Sequence, residues 1–93
     1  MIVIDIHGFG DMQDEKINNI KDELLKALKE KFPEKVENDE IILCFSKNRC
    51  FDSQGQSILM AKILVKNNDL AMEVQKKIGK TLASNKIFKV FYQ

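Results

Sequence analysis

Apolar residues recur along this chain with two periods that alternate in order, and that order most limits what it can fold into. Residues 2–7 alternate, with Ile2, Ile4 and Ile6 on one side and Val3, Asp5 and His7 on the other, which is the period of a strand. From Ile17 the spacing becomes three and four, through Ile20, Leu24, Leu28 and Phe32, one face of an amphipathic helix. Gly8-Phe9-Gly10 separates the two patterns; Asp11 is placed to cap the helix, and Asp14 and Glu15 suit its first turn. Pro33 stops it, because the residue before a proline is pushed out of the helical region. After a polar connection over 34–40, Ile41 to Phe45 is a short, almost continuously apolar run, the pattern of a strand buried on both faces.

The same alternation returns in the second half. Ser57 to Lys66 predicts a strand with Leu59, Ala61, Ile63 and Val65 on one face and Ile58, Met60, Lys62 and Leu64 on the other. Asn67-Asn68-Asp69 supplies caps for a second helix striped by Leu70, Val74, Ile78 and Leu82, although Gly79 inside it costs about 1 kcal/mol relative to alanine. Ile87 to Tyr92 reads as a closing strand. Between the halves, SKNRCFDSQGQ (46–56) is a long loop, and long loops in small domains usually carry function or move. The order is β-α-β, loop, β-α-β, over halves 1–46 and 57–93. With 93 residues there is room for one core. The expected fold is a single α/β domain over 1–93: a two-layer α+β sandwich with a four-stranded mixed sheet and two helices on one face.

Two helices cover only one face of such a sheet, yet the last three strands are apolar on both faces, and strand one adds Val3 beside Asp5 and His7. An uncovered apolar face of that size exceeds what monomers tolerate. Burial against further copies of the chain, with cyclic symmetry, is therefore expected.

In this layout the strand from Met1, the helix ending near Lys31-Phe32-Pro33 and the strand Ile41 to Phe45 resemble the first half of the tautomerase, or macrophage migration inhibitory factor, superfamily. Arg49-Cys50-Phe51-Asp52-Ser53-Gln54-Gly55 resembles the hairpin before that family's central strand. Ser57 to Lys66, the helix from Asn68, and Lys86 to Tyr92 resemble its second half. The resemblance implies a homotrimer with the sheets turned inward, and Lys31 falls near a family lysine that helps hold an acidic substrate. It also implies catalysis by an N-terminal proline, but here Ile2 follows Met1 and the single proline is Pro33. A bulky second residue should also leave Met1 in place. Proline-dependent tautomerase activity is therefore not expected, and whether the chain is an enzyme stays open. The alternative is a ferredoxin-like fold of the same element order, serving as a regulatory or protein-interaction module. The two differ in whether the second strand lies beside the first or beside the third.

Net charge is +1, which gives no general attraction to nucleic acid or anionic membranes. The strand Ser57 to Lys66 also lacks the aromatic residues an RNA-binding sheet needs. The charge is nonetheless polarised. Residues 1–46 hold six Lys against eleven acids, and 47–93 hold eight Lys and one Arg against three. This describes either two solvated helices of differing sign, or halves that attract neighbouring subunits or an acidic ligand. Two cysteines and one histidine are too few for a zinc set, and no metal or cofactor is expected. The opening residues lack the basic lead of a secretory signal, and no apolar run approaches the ~18 residues of a membrane span. A cytoplasmic protein with reduced thiols is expected.

The candidates for chemistry are few. Asp5 and His7 share a strand face, where a carboxylate orients an imidazole base or forms a satisfied interface pair. His7 stands about 20 Å from Met1 at roughly 3.3 Å per residue, too far to replace an N-terminal proline. Cys50, next to Arg49 and near Lys47, has neighbours that favour a thiolate, whereas Cys44 reads as packing. Arg49 and Lys62, with Lys31, are the candidates for holding a small acidic ligand between subunits. Lys62 is singled out because a charge in a largely apolar strand must find water, an acid or a ligand. Gly8-Phe9-Gly10 matches no phosphate-binding motif and is explained by turn geometry.

Overall fold

Strand β1 (Ile2–His7) forms where the isoleucine alternation predicts it, followed by α1 (Asp14–Lys31), a short α2 (Pro33–Glu37) and β2 (Ile41–Ser46). The second half holds β3 (Cys50–Phe51), β4 (Ser57–Leu64), α3 (Asn68–Leu82) and β5 (Phe88–Tyr92). The computed structural model describes residues 1–82 and 88–92, with side chains placed for these except Asn68 and 88–92. Ile87, the expected start of the last strand, lies outside the described residues.

β2 pairs with β1 in parallel, β1 with β4 antiparallel, and β4 with β5 in parallel. The four long strands therefore run β2-β1-β4-β5, with two-residue β3 added antiparallel to the start of β4. The second long strand lies beside the first, so the ferredoxin-like alternative is corrected: that fold would set it beside the third. Both crossover helices lie on the same face. Ile2, Ile4 and Ile6 of β1 and Leu59, Ala61 and Ile63 of β4 form one core with Ile20, Leu24 and Leu28 of α1 and Val74, Ile78 and Leu82 of α3. The molecule measures 38 × 28 × 19 Å. Its short dimension is that of one sheet and one helical layer.

Local chemistry explains the helix ends. Phe32, before the proline, adopts φ −130° and ψ 61° and ends α1, while Pro33 takes the first position of α2, where its missing N–H costs nothing. This short helix occupies part of the expected polar connection. Asn67 caps α3 by accepting the Leu70 N–H at 3.1 Å. Gly79 does not end that helix, which continues through Leu82. Asp11 does not cap α1; the cap position is Gln13, with no side-chain bond, and Asp11 pairs with Arg49 instead. The 46–56 loop is more ordered than its length implies. Asp52 Oδ1 accepts the N–H groups of Gln54 and Gln56, each at 2.9 Å, and closes the turn between β3 and β4.

Among the described residues of one chain β2 is covered on a single face, and its expected burial on both, with Cys44 as packing, rests on the further copies expected above. Ile42 and Cys44 are exposed because, among the described residues, no element covers the face to which they point.

Candidate functional site

Strand register sets out the uncovered face as three rows across β2, β1 and β4. Ile42, Val3 and Leu64 form the row nearest Met1; Cys44, Asp5 and Lys62 form the middle row; Ser46, His7 and Met60 form the third. Ile42 is 40% exposed and Leu64 36%. The face is apolar at the Met1 end and polar towards His7. Lys62 stands directly opposite Asp5, an acid of the kind such a charge requires. Among the described residues, however, no ion pair joins them, and Asp5 turns to His7.

His7 lies at the centre of a chain of polar contacts. Its Nε2 is 3.0 Å from Asp5 Oδ2, and its Nδ1 is 3.0 Å from Asn48 Nδ2. Asn48 Oδ1 accepts the Gly8 N–H at 2.8 Å and lies 3.9 Å from Cys50 Sγ. The Gly8 bond assigns the orientation of the amide: its oxygen faces the backbone, so its NH2 faces the imidazole. Nδ1 then accepts, and Nε2 carries the proton donated to Asp5. Both ring nitrogens are engaged, so in this arrangement neither is free to take a proton from a third group.

Asn48 is the functional residue that sequence reasoning missed. It sits in the 46–56 loop, where no periodicity marks it. The only signal was its type, since asparagine amides commonly bond nearby backbone in turns. Its carbonyl also accepts the Gly10 N–H at 3.0 Å, and Ser46 O accepts the Phe9 N–H at 3.3 Å. The end of β1 is thereby tied to the connection carrying Arg49 and Cys50. Phe9 is fixed from the other side by Phe45, its ring centroid 5.3 Å away at 66°. Gly8 has φ +102°, and a Cβ there would lie 2.3 Å from Ile58 O, so this turn admits only glycine.

Beside the turn is a half-open cleft of about 460 Å³, lined by residues 8–13 with Lys16, Arg49, Cys50 and Ser57. Arg49 pairs with Asp11 through Nη2, and Lys47 with Asp14. These pairs, with Lys77–Glu30 at 3.6 Å, join the acidic half to the basic half inside one chain. The two cations near Cys50 are thus both held by carboxylates.

Of the candidate residues, the fold brings Asp5, His7 and Cys50 into one network through Asn48, sets Arg49 beside Cys50 on the cleft, and places Lys62 across from Asp5. Lys31 is not brought to them. It ends α1, whose 18 residues put it about 27 Å from the cleft end of that helix at 1.5 Å per residue. Among the described residues no three His, Cys, Asp or Glu side chains gather as a metal site, and no helix is long and apolar enough to cross a membrane.

No protein-family model and no curated protein sequence matches this chain. Solved structures do. MIF2 of Leishmania major superposes with a TM-score of 0.64 at 15% identity, over 100% of this chain and 87% of that one. A malonate semialdehyde decarboxylase, FG41, inhibited by 3-bromopropiolate, does so at 0.57 and 15% identity, over 100% and 82%. At such identity the likeness speaks for architecture, and with the β2-β1-β4-β5 order it shows that the chain shares the fold of MIF2 and the FG41 decarboxylase.

Proposed function

We propose that the chain is one subunit of a small cytoplasmic ring oligomer, a trimer, that binds a small acidic molecule at its subunits and does not perform N-terminal proline chemistry. The observation that carries this reading is the uncovered sheet face. Val3, Ile42 and Leu64 form an apolar row on it, and Asp5, His7 and Lys62 form a polar stripe. A lone chain would leave that row in water, and cyclic packing of like subunits removes it. The resemblance read from the sequence implies the same assembly, and the fold shared with MIF2 and the FG41 decarboxylase agrees with that resemblance. Ile2 opens β1 while the single proline, Pro33, opens α2, which supports the absence of a proline shuttle at the start of β1. Arg49 and Lys62 supply charge for the acidic ligand, with Lys31 serving the Met1 end.

Leu64→Asp tests the reading, because it places a charge in the apolar row without touching the core. Sedimentation at micromolar concentration should show a trimer for the parent chain and a monomer for the variant. Equal sedimentation of the two contradicts the proposal. In the same samples, enol–keto conversion of phenylpyruvate should run at the buffer rate. A catalysed rate abolished by His7→Ala would replace the proposal with an enzyme acting through His7.

A further inference from the structure

The cleft at the far end of β1 from Met1 has the features of a ligand site, and the uncovered sheet face does not account for them. Its volume, about 460 Å³, is within the range of small-molecule pockets and far exceeds the need of a bare ion. Its lining carries two cations, Lys16 and Arg49, against one carboxylate, Asp11. Among the described residues Lys16 engages no carboxylate. Arg49 makes one contact, Nη2 to Asp11, and a guanidinium offers five N–H donors. Its remaining donors suit the bidentate grip that carboxylates receive from arginine.

The walls are prepared rather than incidental. Asn48 holds one side of the turn through the Gly8 and Gly10 amides. The Arg49 stem lies over Gly10, where an added Cβ would sit 3.7 Å from Arg49 Cγ. Met12 is half-buried on the core and lines the cleft, giving an adaptable apolar surface.

We propose that this cleft binds a small monocarboxylate with an apolar body, its carboxylate held by Arg49 and Lys16 and its body against Met12 and the Gly8–Gly10 turn. The inference rests on the small-acid reading above and names the site. Cys50 and Ser57, also on the lining, face the ligand as polar neighbours.

The experiment is an amide and arginine side-chain NMR titration of the intact protein with phenylacetate, using phenylacetamide as the neutral counterpart and inorganic phosphate as the bare anion. Phenylacetate should give saturable shifts at Gly8, Gly10, Met12 and Arg49 in the millimolar range. Phenylacetamide and phosphate should bind more weakly. Arg49→Gln, an exposed substitution that should leave the rest of the spectrum in place, should weaken phenylacetate by roughly tenfold, the loss of a charge-assisted contact. Equal binding of phenylacetamide or phosphate, or unchanged affinity in Arg49→Gln, overturns the proposal. Saturable shifts confined to Met1 and Lys31, or to the rows around Lys62, overturn the site while leaving the small-acid reading intact. Absence of shifts anywhere removes both.

Discussion

Asn48→Ala removes the side chain on which the end of β1 depends. Gly8 is buried, and its N–H is satisfied by Asn48 Oδ1 at 2.8 Å. Truncation leaves that donor without a partner, a loss of about 1–3 kcal/mol for an unsatisfied buried group. The more exposed contact to His7 at 3.0 Å adds about 0.5–1 kcal/mol. The Gly10–Asn48 backbone bond survives the substitution, so the turn should loosen and not unravel. The expected destabilisation is about 2 kcal/mol, which for a chain of this size lowers Tm by roughly 8–16 °C. Urea unfolding of parent and variant at one fixed protein concentration measures it, because subunit association makes apparent stability concentration-dependent. Hydrogen exchange supplies the local readout: the Gly8 amide should lose protection while Ile4 and Ile6 keep theirs. A change below about 0.5 kcal/mol with the Gly8 amide still protected would refute the assignment of Asn48 as the holding residue.

Gly8→Ala should be far more damaging, by at least about 3 kcal/mol, since it combines positive φ with a Cβ 2.3 Å from a backbone oxygen; wild-type stability in chemical denaturation would contradict the close approach. Thiol labelling should separate the two free cysteines. In the assembled parent Cys50 should react and Cys44 should be shielded by a neighbouring subunit, with Cys44 becoming reactive in Leu64→Asp. Fast labelling of both in the parent counts against burial of that sheet face.

β1, β4 and the two long helices were legible because each buries a stripe with a clear period. Ile2, Ile4 and Ile6, or Ile17, Ile20, Leu24 and Leu28, are named by spacing alone, and all are buried. The exposure of Cys44 in one chain fits the same logic: a two-faced apolar strand calls for cover on both faces, and two helices supply it on one. Side-chain pairings across the fold were less legible. Asp11 has the type and position of a helix cap, yet Arg49 from a loop 38 residues away takes it. The Asp5–Lys62 opposition follows from strand register, which alternation leaves undetermined across a long connection. At the candidate site, the Asp5–His7 pair was readable from their shared strand face. Its link to Cys50 was not, because it passes through Asn48, a loop residue marked by neither burial nor period.

The central claim is that the open face of the β2-β1-β4-β5 sheet is covered by copies of the same chain. Native mass spectrometry of the parent protein at micromolar concentration tests it most directly. A species of three chain masses is the predicted result. A monomer as the sole species, with Ile42 and Leu64 left in water, would contradict it.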